Sequence, residues 1–401
     1  MGKFFQDMVL RRIFMVTLDR TRLGLRTSLS SVLKRIAAAC AERKGRLKVK
    51  TSTAPSSKPT IYFLTPDYQV PSGGILVIYR HVDILNKAGI NAVVLHQRAG
   101  FRCDWFENQT PICYVEDTVV LHGDLLVVSE ISVSTIQSLE KGTRYAIFNQ
   151  NTHLTWRQGE QAARVAYRAS SDLAGVLTVS EHNAAMLQYG FPHLDVFHLR
   201  LSIDPDIFYP SVAPRPKRIC YMPRRSSDDA VQVMSLLKNR DAFQGWEFVP
   251  LNGLAHAAIG EELRKSRIFM AFTRQEGFGL PAAEAMACGC YVVGNHGYGG
   301  TDFFREGFAA PVASGDILGF SQAVEQAVIN DEREPDWCQR QGAEAARYIA
   351  ATYSPTHESE QVCAIYCELM RGAAAKTADP QPPRSVALGL RLDAGVHGHQ
   401  G

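Results

Sequence analysis

Short apolar runs of strand length alternate with stretches of helical period through most of the chain. The first abrupt run is Ile61-Tyr62-Phe63-Leu64, followed by a Pro71-Ser72-Gly73-Gly74 loop and a helical stretch to about Ala88. Further runs fall at 91–95, 124–128, 145–148 and 175–179. Strands alternating with helices at this spacing predict βαβ units on a parallel sheet. The pattern breaks at Leu201-Ser202-Ile203-Asp204-Pro205-Asp206 and restarts with Arg218-Ile219-Cys220-Tyr221, then 246–250, 267–272 and 290–294. The chain therefore reads as two consecutive α/β domains, 59–200 and 211–355, joined by a connection over 201–210. A last helix is expected over 356–371, before a Pro/Gly/Ala/His-containing tail, 372–401, whose composition predicts disorder.

The length of 401 residues suits two such domains, and 46% hydrophobic with 21% charged residues is a soluble globular composition. The net charge of +3 conceals an asymmetry. Residues 1–50 hold 13 Lys/Arg against three Asp/Glu, which leaves the remainder near −7. This changes the picture of residues 1–58, which become a basic N-terminal extension ending in a flexible linker, TSTAPSSK over 51–58. Phe4, Phe5, Met8, Phe14 and Met15 are interleaved with the charges, as in a helix that seeks an anionic membrane surface. A solvated or partner-binding arm is the other reading, and no nucleic-acid-binding pattern is present. No run of 18 apolar residues predicts a membrane span, and Arg11, Arg12, Asp19 and Arg20 interrupt any signal-peptide core. Nine cysteines without a CxxC pair fit a reducing cytoplasm; Cys288 and Cys290 flank a glycine but lack further zinc ligands nearby.

The stretch richest in chemistry is Thr273 to Cys290, TRQEGFGLPAAEAMACGC. An apolar strand runs into Glu276-Gly277-Phe278-Gly279, and Pro281 falls where a helix would begin. Glycines expose backbone N–H groups, and the helix N-terminus points its positive dipole end at the same loop, which suits a diphosphate. Glu276 on the loop and Glu284 one turn into the helix can accept hydrogen bonds from sugar and ribose hydroxyls.

The spacing of Glu276 and Glu284, within EGFGLPAAEAMACGCYVVG, resembles the E-x7-E signature of retaining GT-B glycosyltransferases of family 4, the group 1 type. Val176-Leu177-Thr178-Val179-Ser180-Glu181, Ser202 to Pro210 and Tyr353-Ser354 resemble the family's first-domain step, interdomain connection and returning element, so the likeness covers roughly 59–371. The resemblance implies two Rossmann-like parallel-sheet domains facing a central cleft. It implies that Gly73 and Gly74 close over the donor diphosphate, that Glu284 binds the ribose, and that Glu276, Gly277, Phe278, Gly279 and Leu280 hold the donor. It further implies that His153 stands beside the transferred sugar. Relatives usually carry Gly-Arg and then Lys-Gly after the first strand of the second domain. This chain has Met222-Pro223-Arg224-Arg225, so Arg224 or Arg225 is left to neutralise phosphate.

The expected activity is transfer of a hexose-type sugar from a nucleoside diphosphate sugar to a hydroxyl of a glycan or lipid-linked acceptor. Retention is implied, with no cofactor and no metal, in the cytoplasm or peripherally on the inner membrane face. Asp204-Pro205-Asp206 has the D-x-D form of a metal site, but its central proline predicts a turn. Asn149 to Thr152 either line the acceptor side or cap the next helix. The alternatives are a nucleotide-sugar epimerase of the same fold, which would need first-domain acid/base carboxylates such as Asp104, Glu107, Glu116 or Asp117, and an inactive sugar-nucleotide-binding scaffold.

Overall fold

The computed structural model describes residues 47–157, 160–168, 170–223 and 226–375. Seven parallel strands make the first sheet: β2 (Ile61–Thr65), β3 (Ala92–His96), β4 (Ile112–Tyr114), β6 (Leu125–Ser129), β7 (Tyr145–Asn149), β8 (Leu173–Thr178) and β9 (Val196–His198), in the order β4-β3-β2-β6-β7-β8-β9. Every residue of β6 and β7 is buried, as expected where helices cover both faces of a parallel sheet. The covering helices include α1 (Gly73–Lys87), α2 (Val133–Ile136), α3 (Thr152–Arg157), α4 (Glu160–Ala166) and α5 (Glu181–Gly190).

The second sheet has five parallel strands, β10 (Arg218–Tyr221), β11 (Glu247–Pro250), β12 (Ile268–Ala271), β13 (Tyr291–Gly294) and β14 (Ala309–Pro311), in the order β11-β10-β12-β13-β14. Its helices are α6 (Ser227–Leu237), α7 (His256–Arg264), α8 (Leu280–Ala287), α9 (Ile317–Arg333) and α10 (Trp337–Thr352). Cys288 and Cys290 are buried in the hydrophobic core that this domain shares with the first, so their sulfurs serve packing.

Strand order reverses between β2 and β6 in one sheet and between β10 and β12 in the other. Ligands of open α/β sheets bind outside the carboxyl ends of strands at such reversals. Both reversals open on the same interdomain cleft.

The expectation of a linker over 51–58 gives way to a strand. β1 (Lys50–Pro55) pairs in parallel with β5 (Val119–His122). Its residues are mostly exposed, so no hydrophobic alternation marked it; threonines of good strand propensity and the buried Val49 just before it supply what the pattern lacked. The basic extension up to residue 46 and the tail from 376 lie outside the described residues, as do Arg224 and Arg225.

The chain returns to the first domain through α11 (Pro355–Ala375), which packs on α1 and β8. Its anchor is Glu358, buried against Arg80 Nε at 2.8 Å and Ser202 Oγ at 2.5 Å, with His81 Nε2 at 3.5 Å. Burial works against its ionisation, yet the bond from His81 and the charge of Arg80 outweigh it and hold the carboxyl at about 2. A depressed carboxyl stabilises the fold above its unfolded value of 4.5, and that contribution is lost as pH falls toward 2. Glu358→Gln is therefore expected to destabilise the protein at pH 7 by on the order of 3 kcal/mol. Melting curves of both proteins should converge between pH 4.5 and 2; a gap that stays constant with pH would refute the clasp.

Candidate active site

The cleft holds a cavity of about 510 Å³. Its first-domain wall comes from the loop after β2 with the start of α1, from Ser129-Glu130-Ile131 after β6, and from Gln150, Asn151 and Leu154 after β7. The second domain supplies Met222 after β10, Leu254 to His256 after β11, and Glu276 to Pro281 with Glu284.

Three helices begin at this cavity: α1 at Gly73, α7 at His256 and α8 at Leu280. None has a side chain capping its first turn, and none has an acidic residue there. Ser180 caps α5 on Asn183 N–H and Asp316 caps α9 on Gly319 N–H, while α2, α6 and α10 also lack a side-chain cap. Three helix N-termini therefore stand at one cavity, and their dipoles add positive potential there.

Glycine is required at two points. Gly279 caps α8 with φ at +98°, in the left-handed region. A Cβ on Gly277 would lie 1.6 Å from the Gln150 carbonyl oxygen, so the two domains touch backbone to backbone. Asn151 Nδ2 donates to the Gln275 carbonyl at 2.9 Å and Asn183 Nδ2 to that of Gly277 at 3.3 Å, which pins the same loop from the first domain.

The expected donor residues Gly73, Gly74, Gly277, Phe278, Gly279, Leu280, Glu276 and Glu284 all line this cavity. Phe278 turns its ring into the core against Phe303 and Tyr353, so its backbone alone is offered to a ligand. Leu280 reaches across to Gly73. His153 lies apart from the cavity lining. Its ring stacks on His182 at 5.3 Å and tilts against Tyr298 at 5.4 Å, while Gln150, Asn151 and Leu154 form that stretch of wall. Burial, then neighbouring His182 and Arg157, lower its pKa. Tyr298 itself bridges the backbone of Glu276, so this aromatic cluster buttresses the loop from behind. Asn149 accepts from the Thr152 hydroxyl and donates to the Thr155 hydroxyl inside the first domain, and Asp204-Pro205-Asp206 forms a turn in which Asp204 Oδ1 accepts from Asp206 N–H.

Two residues escaped the sequence reading. Glu130 lines the cavity from the carboxyl end of β6 and accepts the Gln150 N–H at 3.1 Å; burial, against that bond, pushes its carboxyl up to about 7. Its place after LLVVS, at the strand reversal, was the available signal. His256 puts Nε2 3.2 Å from Glu284 Oε1. No motif marks it, because the pairing exists only once β11 and β12 are neighbours of β10.

Residues 249–344 match the family model for glycosyl transferases group 1. That match lies within the second domain and includes Glu276 and Glu284. The chain is also 26% identical over 286 residues to an alpha-1,6-glucosyltransferase of Actinobacillus pleuropneumoniae serotype 7 (strain AP76), covering 66% of this chain and 83% of that protein. Among solved structures it is similar to sucrose-phosphate synthase from Thermosynechococcus elongatus, at TM-score 0.61 and 13% identity over 78% of this chain and all of that one. A glycosyltransferase from Rickettsia africae ESF-5 follows at 0.55 and 12%, covering 79% and 99%. Anabaena Alr3699/HepE in complex with UDP and glucose gives 0.54 and 13%, covering 78% and 100%. These likenesses show the fold, the GT-B arrangement of two facing parallel-sheet domains.

Proposed function

We propose that the protein transfers a sugar from a nucleoside diphosphate donor to a hydroxyl of a glycan or lipid-linked acceptor. The observation that carries this reading is the convergence of three uncapped helix N-termini on one interdomain cavity walled by Glu276 and Glu284. As the glycosidic bond breaks, negative charge grows on the diphosphate, and preorganised N–H groups stabilise it without reorganisation. Glu276 and the backbone of Gly277 to Gly279 then hold the sugar, and Glu284 the ribose. The glucosyltransferase relative and the UDP and glucose bound by Alr3699/HepE favour a uridine donor and a hexose. In this reading transfer proceeds with retention and without metal, Arg224 or Arg225 adding charge.

A calorimetric screen of UDP-, GDP-, dTDP- and ADP-sugars in EDTA tests the proposal. Binding of one class should raise the melting temperature with ligand concentration, and turnover should persist in EDTA. No binding by any of them, or turnover that needs added Mg²⁺ or Mn²⁺, would defeat the corresponding part. The anomeric configuration of the product, read by NMR, decides retention. Glu130 is the observation favouring the epimerase alternative, being a first-domain carboxyl on the cavity wall. Donor incubated without acceptor would then come back isomerised, whereas a transferase returns it intact or hydrolysed.

We also propose that residues 1–50, with 13 Lys/Arg against three Asp/Glu, bind an anionic membrane surface on the cytoplasmic side. Cosedimentation with anionic liposomes at low salt, lost as salt rises, is the expected result. The comparison should be a chain beginning at residue 47, so that β1 is kept; equal sedimentation of both would remove the membrane role.

A further inference from the structure

Three carboxyl groups, Glu130, Glu276 and Glu284, line the cavity, Glu130 ionising only near pH 7, and a nucleoside diphosphate would bring more negative charge into it. Among the described residues lining it, His256 has the one side chain able to carry positive charge. The ring sits at the first residue of α7, with Nε2 3.2 Å from Glu284 Oε1, and packs edge-on to Phe208 at 4.8 Å and 73°. Phe208 belongs to the interdomain connection and is itself buried, so the ring's orientation is set by packing as well as by the carboxylate.

We propose that protonated His256 is a positioning residue for the donor's nucleoside. It holds the Glu284 carboxylate toward the ribose and adds positive charge to the cavity wall, so that donor affinity falls as His256 loses its proton. The inference rests on the cavity being the donor site.

The groups facing the ring come from three elements. Glu284 lies on α8 and Asp204 in the connection, while Arg80 on α1 opposes them and is itself held by Glu358. Burial disfavours the charged ring, but the bond and charge of Glu284, with the charge of Asp204, outweigh burial and Arg80 and raise the pKa above 6.5. A raised histidine is charged below its pKa and neutral above it, so its contribution to binding is present at low pH and lost as pH rises. An incoming diphosphate favours the charged form further, and binding above the pKa takes up a proton. Neutral His256 can still share a hydrogen bond with Glu284, but it no longer offsets the carboxylates.

The experiment titrates wild type, His256→Gln and His256→Arg with UDP, GDP and ADP and their 2′-deoxy counterparts, by calorimetry from pH 6.5 to 8.5. Comparison with His256→Gln cancels the ligand's own phosphate titration, which falls near pH 6, and that of Glu130 on the same wall, whose carboxyl is pushed up to about 7. Wild-type affinity should fall by about tenfold across the range relative to His256→Gln, the scale of one charge-assisted contact. The ribose-over-deoxyribose preference should shrink in His256→Gln, because Glu284 loses its charged partner. His256→Arg should keep its affinity at pH 8.5. Parallel pH profiles for wild type and His256→Gln, or an unchanged ribose preference, would overturn the role of His256 while leaving the donor site standing. If no nucleotide binds wild type, both the donor-site reading and this inference fall together.

Discussion

Gly277→Ala is expected to lower kcat/KM by about a hundredfold while leaving both domains folded. The added Cβ would sit 1.6 Å from the Gln150 carbonyl oxygen and 2.6 Å from its carbon, atoms of backbone that cannot rotate away. Retreat into the second domain is blocked as well, because Gly299 packs behind the loop so closely that a Cβ there would meet the Gly277 oxygen at 2.1 Å. The domains must separate at this contact, and with them Glu276 and the start of α8 move from Gln150 and α1. Misplacing reacting groups by about 1 Å costs on the order of a hundredfold in rate. The cores of the two sheets lie away from the contact, so the melting temperature should change far less than the rate. Wild-type kcat/KM in a protein of unchanged melting temperature would show that catalysis does not need the domains in this closed arrangement.

Glu284→Ala should weaken donor binding by about ten- to a hundredfold, the equivalent of roughly 1.5–3 kcal/mol for hydrogen bonds to a charged group. Glu284 is buried on α8 yet reaches the cavity, and its bond from His256 is 3.2 Å long, leaving the second oxygen for ribose hydroxyls. Alanine is a better helix former than glutamate, so α8 itself should not suffer. The effect should be carried by KM for the donor and by its dissociation constant, with acceptor affinity unchanged. Unchanged donor affinity measured by calorimetry would remove Glu284 from the ribose site.

The α/β class was legible in the sequence, and so was the strand-loop-helix unit that the structure places on the cavity wall, because both depend on local patterns. Apolar runs such as Ile61–Leu64 and Ile268–Phe272 stand out against helical stretches, and in the structure they lie at β2 and β12. The Glu276–Glu284 stretch combines a glycine turn, a proline at the start of a helix and a fixed carboxylate spacing, all within one strand-loop-helix unit. Short edge strands were not legible. β4, β9 and β14 span only three residues each at the ends of their sheets, too few for a period to show. β1 escaped because its residues face solvent and only pairing with β5 makes it a strand.

The site as a whole required tertiary structure. Sequence local to each loop determined that Gly73, Leu280 and Glu284 stand at or near helix starts, since Gly and Pro placement acts over one turn. Only the packing of two sheets decided that α1, α7 and α8 open on one cavity, because that depends on where strand order reverses in each sheet and on the backbone contact of Gly277 with Gln150. The same packing turned His153 onto His182 and Tyr298 and set His256 against Glu284, 28 residues away in the chain. Burial is a property of that packing too, which is why the raised carboxyl of Glu130 and the lowered one of Glu358 could not be read from residue type: in the first desolvation outweighs the backbone N–H groups it accepts from, in the second His81 and Arg80 outweigh desolvation.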